Sequence, residues 1–315
     1  MFLLSPVFKD YIWGGNRLKK DFGFENELEK TAEAWVLSCH KDGENTVLNG
    51  KYKGKLLSEI LTPEMKGTNA DRFDFFPLLI KLIDAKDNLS LQVHPDNEYA
   101  LKNENEYGKT ECWYILDCDK NSELIYGFKE DISSEEFRKA IENDTVLEKV
   151  NRVKVKKGDF FFIDSGTLHA IGKGILLAEI QQNSNTTYRV YDYNRLGNDG
   201  KPRPLHIDKA VDVTKCQKPA RNYSPEGETE KFDVYEKTLL TKCDLFTVAI
   251  YEVKKEVALY ADETSFISVL VTDGNGTIAN KDEKFEIKKG DSVFIPASEG
   301  EIKIKGKLRF IKTTV

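Results

Sequence analysis

The residues best able to do chemistry in this chain are few. Of its four histidines, His40, His94, His169 and His206, two sit in segments that also carry other ligand atoms. His94 ends LSLQVHP (89–95), where Ser90 and Gln92 share its parity, and His169 ends the turn DSGTLH (164–169). Between them in sequence, GKTE (108–111) sets Lys109 and Glu111 at i, i+2. Two imidazoles, a carboxylate and an amide make a mixed nitrogen and oxygen set. Such a set suits a divalent transition metal, with zinc the default and iron, manganese or cobalt also compatible. A lone histidine at a strand end is ordinarily a hydrogen-bonded core residue; the combination of the three segments favours a ligand role.

The elements that must position these side chains read as strands. In LSLQVHP, Leu89, Leu91 and Val93 alternate with Ser90, Gln92 and His94. A β-strand sends successive side chains to opposite faces, so one row is buried and the polar row lines a cavity or meets water. Pro95 then ends the ladder, having no N–H to donate. By the same period, Lys109 and Glu111 share a face of a second strand. The run PLLIKLIDAKDNLSLQVH (77–94) reads as a hairpin of two buried strands turning at Asp84 to Asn88. ECWYIL (111–116) and ELIYGF (123–128) read as strands around the turn DCDKNS. A helix is expected after Ser133 or Ser134, because Phe137, Ala140 and Ile141 fall at i, i+3, i+4. Shorter helical segments are expected at Leu56 to Leu61, after an Asp96 N-cap, and in HIDKAVDVT.

The segment KKGDFFFIDSG (156–166) is echoed by KKGDSVFIPAS (288–298), each preceded by a strand pair with a turn. This implies two copies of one β-fold, the first lengthened by a helical insertion at about 130–150. The polar, proline-containing stretch 217–230 marks the boundary, giving units 1–225 and 226–315. No histidine stands in the second copy where the first has His169, so the chemistry is assigned to the first.

Composition narrows the function. In 315 residues, 40% hydrophobic and 32% charged, the net charge is −6, which lacks the basic footprint of a nucleic-acid partner. An anionic small molecule remains compatible if cations gather locally. No run approaches the roughly 18 apolar residues of a membrane span. The N-terminal segment lacks the pattern of a secretory signal, so a cytoplasmic protein is expected. The five cysteines are odd in number and include no CxxC pair, which fits reduced buried thiols.

LSLQVHP, GKTE, the GTLHAI turn and the TTYRVYDYNR run together resemble the type I mannose-6-phosphate isomerase family in its short bacterial form, within the cupin superfamily. The likeness covers residues 1 to about 225. It implies a mainly β fold of two cupin-type jelly-roll barrels, the second degenerate and without ligands, and one zinc ion per chain. It implies the aldose–ketose interconversion of D-mannose 6-phosphate and D-fructose 6-phosphate through an enediol. By this resemblance Gln92, His94, Glu111 and His169 are the metal ligands. Lys109 is placed at the substrate, and counted with Arg189 as catalytic. Ser90 matches a serine that helps hold the phosphate, and Ser90, Lys109 and Arg189 contact the sugar phosphate. Long-form relatives carry an acidic residue four positions before the arginine; here that place is Asn185, so a base role is not carried over. A monomer or homodimer with no nucleic-acid or membrane partner is expected.

Two rival readings are a cupin iron oxygenase, which also uses two histidines and a carboxylate, and a non-catalytic sugar-binding β-module. Of the remaining residues, His40 is expected at a strand end and His206 at a capped helix start, with a site role for His206 as the alternative. Trp13 reads as packing or turn structure that can line the site opening. Lys86, Arg195, Lys201 and Arg203 read as solvated surface charges rather than phosphate ligands, with phosphate contact as the alternative for any of them.

Overall fold

The computed structural model describes every residue except Asn198, Asp199 and Asn222. Among the described residues the chain is mainly β, with short helices at its edges. A six-stranded antiparallel sheet orders Phe160–Ile163, Glu111–Cys118, Ile175–Gln182, Leu78–Ala85, Glu33–Leu37 and Val7–Lys9. A five-stranded sheet orders Val150–Lys154, Glu123–Phe128, His169–Ala170, Leu91–Val93 and Tyr188–Tyr191. The inner faces of these two sheets share one core, in which Ile83, Trp113, Phe161 and Leu177 meet Leu124, Tyr126, Val153 and Ile171.

The outer faces are covered differently. Behind the six-stranded sheet, Leu78, Ile80, Leu82, Cys112, Phe160 and Ile180 pack with Phe266, Leu270, Phe294 and Ile311 of a ten-stranded sheet built mostly from the C-terminal region. That sheet also takes Phe2–Ser5, paired with Ser292–Ile295. The first strand is therefore stitched to the far end of the chain. Behind the five-stranded sheet, Leu91, Val93, Ile125 and Phe128 pack on helices Ser134–Glu142 and Ile207–Val213. Ser133 caps the first of these: its Oγ accepts from Glu136 N at 3.1 Å, and Glu136 returns a carboxylate to Ser133 N at 2.8 Å. Phe137, Ala140 and Ile141 form its buried stripe, as their spacing predicts. Burying Phe137 alone is worth about 1.5–3 kcal/mol.

Three expectations are corrected. Residues 77–94 are no hairpin: Leu78–Ala85 pairs with Glu33–Leu37 and Ile175–Gln182, while Leu91–Val93 lies in the other sheet. Apolar content marks a strand as buried but does not choose its partner. The strands Glu111–Cys118 and Glu123–Phe128 likewise fall in different sheets, and their counterpart in the second copy is one continuous strand, Ile267–Ala279. Leu89 precedes the ladder and joins the inner core with Trp13, whereas Leu91 and Val93 face the helices. The other expected helices form at Leu57–Ile60 and at Asn97–Asn103, the latter capped by Asp96 Oδ1 accepting from Tyr99 N at 2.9 Å.

Candidate metal centre

Strand register brings the candidate residues together. His169 lies opposite Gln92, and Gln92 lies opposite Arg189, on three neighbouring strands of the five-stranded sheet. Directly opposed residues project to the same face. Here that is the inner face, because the alternate residues Leu91 and Val93 are committed to the helices. Glu111 enters from the facing sheet at the first position of its strand. Lys109 is returned to His94 by a loop: Lys109 N donates to Pro95 O at 3.0 Å. The loop closes only because Gly108 has no side chain, since a Cβ there would lie 2.4 Å from the Asp96 carbonyl carbon.

His94, Glu111 and His169 converge on one point and are all buried. The two Nε2 atoms are 3.1 Å apart, and Glu111 oxygens lie 3.5 Å from His169 Nε2 and 3.8 Å from His94 Nε2. Each ring turns its Nδ1 to a main-chain carbonyl, His94 to Thr186 O at 2.9 Å and His169 to Thr167 O at 2.8 Å. A carbonyl only accepts, so both Nδ1 atoms carry the proton and both Nε2 lone pairs face each other. Glu111 Oε1, buried beside them, has no hydrogen-bond partner. Two unprotonated ring nitrogens and a carboxylate oxygen without a hydrogen-bond partner therefore surround one position. Tetrahedral ligands about 2.05 Å from zinc would be separated by roughly 3.3 Å. The observed spacings fit a cation of that kind, and the carbonyl contacts are the support that metal-bound imidazoles ordinarily receive. Gln92 adjoins the cluster by register, half-buried, its Oε1 accepting from Ser90 Oγ at 3.3 Å.

The electrostatics agree. Burial, then the Lys109 ammonium, lowers the His169 imidazole to about 4 and holds His94 well below the usual range, keeping both neutral. Burial and the nearby Glu179 raise Glu111 to about 7 against the pull of Lys109. Lys109 contacts Glu111 directly and lies 3.2 Å from His94 Nε2 and 3.6 Å from Glu179. Behind it Lys81, itself buried, stands 3.1 Å from Glu179 and 3.8 Å from Glu33. Glu33, Lys81, Glu179, Lys109 and Glu111 thus form an alternating chain of charge under the site.

A pocket of about 270 Å³ opens above this floor. Ser90, Gln92, Lys109 and Arg189 line it, with Trp13 at the wall; of the residues meeting the His94, His169 and Glu111 cluster, it is Lys109 that reaches the pocket. Arg189 is positioned by His206, whose Nδ1 accepts from Arg189 N at 3.0 Å while its own N–H donates to Arg189 O at 2.8 Å. His206 occupies the N-cap position of Ile207–Val213, but its side chain makes no cap. His40 ends a short strand, as expected, with Nε2 3.5 Å from Glu106. Lys86 and Lys201 are exposed. Arg195 and Arg203 are not the solvated charges expected: both pair with Asp192, and Arg203 lines the pocket. Lys81 and Glu179 were not singled out in sequence, although each stands as the one charge within LLIKLI and ILLAEI. A single charge inside a buried strand was the available signal.

The profile of the phosphomannose isomerase type I catalytic domain matches residues 1–140, and that of the mannose-6-phosphate isomerase cupin domain matches 235–315. The chain is 42% identical over 306 residues to mannose-6-phosphate isomerase ManA of Bacillus subtilis, covering 96% of this chain and 95% of that protein. It is 41% identical over 311 residues to mannose-6-phosphate isomerase of Streptococcus mutans, covering 99% and 96%. The crystal structure of mannose 6-phosphate isomerase from Bacillus subtilis superposes with a TM-score of 0.92 at 40% identity, covering 100% of this chain and 99% of that one. The structure of a putative mannosephosphate isomerase from Archaeoglobus fulgidus shares the fold, with a TM-score of 0.76 at 20% identity over 99% of this chain and 97% of that one. Sequence and fold agree along essentially the whole length, and this chain belongs to the type I mannose-6-phosphate isomerase family.

Proposed function

We propose that this protein interconverts D-mannose 6-phosphate and D-fructose 6-phosphate through an enediol, with one zinc ion held by Gln92, His94, Glu111 and His169. The observation that carries the metal assignment is the facing pair of Nε2 lone pairs 3.1 Å apart beside the unpartnered Glu111 Oε1. The relatives' names supply the substrate. When bound, the ion supplies Lewis-acid polarisation of sugar oxygens. As the proton moves between C1 and C2, negative charge grows on oxygen, and Arg189, charged at any working pH, stabilises it. Lys109, already matched by Glu111 and Glu179, acts at the sugar oxygens, and Ser90 Oγ contributes a further contact.

Within this reading, residues 1–225 hold the metal-binding cupin unit and 226–315 a second, ligand-free cupin unit whose sheet also takes Phe2–Ser5, each a jelly-roll barrel. The enzyme works in the cytoplasm as a monomer or homodimer on a free sugar phosphate. Among the described residues, no helix is long and apolar enough to cross a membrane. The test is a coupled assay following fructose 6-phosphate from mannose 6-phosphate, run anaerobically before chelation, after it, and after zinc is restored. Activity lost and regained with zinc supports the isomerase. Undiminished activity in chelated, metal-free protein removes the metal, and turnover that needs dioxygen points to the oxygenase instead.

A further inference from the structure

The pocket has two unlike ends. On its floor Lys81 and Lys109 are each matched by buried carboxylates. On its wall Arg189 and Arg203 both line the pocket, Arg189 donating to the carbonyl of Pro204 beside Arg203, and Arg195 shares with Arg203 the carboxylate of Asp192. Asp192 accepts from Arg203 Nε at 2.8 Å and from Arg203 Nη2 at 2.6 Å. It also accepts from Arg195 Nη2 at 2.5 Å. This two-point grip holds the Arg203 guanidinium in one plane and leaves Nη1 outside the pair. Arg189 donates Nη1 to Pro204 O at 2.9 Å, while its buried Nε has no partner. Three guanidinium groups against one carboxylate leave an excess of about two positive charges. Burial and the neighbouring Arg203 both act to lower the Arg189 pKa, so the wall is short of an anion.

The geometry points to Arg203 as a substrate-binding residue whose unpaired Nη1 takes the phosphate of the sugar phosphate, leaving Arg189 to the reacting oxygens. This assignment rests on the isomerase reading and deepens it: the phosphate lies at the arginine wall, and the reacting carbons reach the metal floor. Asp192 and Arg195 are positioning residues, since Arg195 is tied to Asp192 and to Asn88 O and does not line the pocket. A dianion bound at one end fixes which carbons face Gln92 and Arg189. It uses binding energy from a group remote from the reacting centre.

The test compares wild-type protein, Arg203→Ala and Arg203→Gln in two measurements. One is KM and kcat for mannose 6-phosphate, and the other is calorimetric titration with inorganic phosphate. Loss of a charged hydrogen-bond donor to phosphate predicts a KM raised about ten- to hundredfold in Arg203→Ala, with phosphate affinity weakened by a similar factor. Metal content and kcat change less than about twofold. Gln keeps a hydrogen-bond donor toward Asp192 without the charge, and serves if Ala prevents folding; it shows the same loss in phosphate affinity. Wild-type KM together with wild-type phosphate affinity in either folded variant overturns the assignment, as does a fall in kcat alone. Phosphate binding that depends on Arg203 in a protein without isomerase activity would remove the isomerase reading while leaving the anion site in place.

Discussion

Lys81→Met tests whether the charge chain beneath the site behaves as a unit. Lys81 is 4% exposed, with Nζ 3.1 Å from Glu179 and 3.8 Å from Glu33. At an effective dielectric constant of about 20, the attraction lost is about 5 kcal/mol from Glu179 and about 4 kcal/mol from Glu33. Removing the ammonium also relieves its own dehydration, which returns several kcal/mol. The net expectation is a loss of about 3–5 kcal/mol, because buried Glu33 loses its cation and Glu179 keeps only Lys109. For a chain of this size that lowers the melting temperature by roughly 5–8 °C. Lys81→Met combined with Glu179→Gln removes one of the two carboxylates, and Gln still offers an oxygen to Trp113 Nε1, which donates to Glu179 at 3.1 Å. The double variant should therefore recover about half of the loss, a coupling that a double-mutant cycle reads directly. Calorimetric melts and urea titrations of the four proteins measure it. A single variant melting within about 1 °C of wild type, or a double variant less stable than the single, would refute the charge chain.

Further outcomes follow from the same contacts. Glu179 is pushed up by burial but held down to about 2 by Lys109 and Lys81, below its value in the unfolded chain. Its stabilising contribution is thus complete above the unfolded pKa of about 4.3 and is lost as pH falls toward 2. Melts of Lys81→Met should show less acid sensitivity over that range, because the folded-state pKa of Glu179 then moves back toward its unfolded value. Arg189→Ala should lower kcat by about 10²–10³ with zinc content unchanged, as removal of a group that stabilises charge on oxygen requires; unchanged turnover would withdraw the role. Glu106 accepts from Asn185 N at 3.2 Å and Thr186 Oγ1 at 3.1 Å, so it holds the loop whose carbonyl orients His94. Glu106→Gln should weaken zinc binding about tenfold, read by competition with a chelating dye.

Much of the site was legible because its chemistry is local. Gln92 and His94 share one parity in a period-two segment, and no tertiary information is needed to place them on one face. The Ser133 cap and the Phe137 stripe were equally legible, being set by spacing within a turn or two of helix. What sequence withheld depends on partners far away. Leu78–Ala85 and Leu91–Val93 read as neighbours because the turn between them is short, yet the chain uses that turn to cross between sheets. Arg203 looked like an ordinary surface cation because its carboxylate, Asp192, lies eleven positions upstream. The attachment of Phe2–Ser5 to the C-terminal sheet could not be read from either segment alone.

Diffraction data collected on either side of the zinc absorption edge, from crystals grown with zinc, would address the ligand assignment most directly. The expected result is a single anomalous peak per site, about 2.0–2.2 Å from His94 Nε2, His169 Nε2 and a Glu111 oxygen, with the Gln92 carbonyl oxygen turned toward it. A peak elsewhere on the chain, or the Lys109 ammonium seated between the two imidazoles in protein that turns over mannose 6-phosphate at full rate, would contradict it.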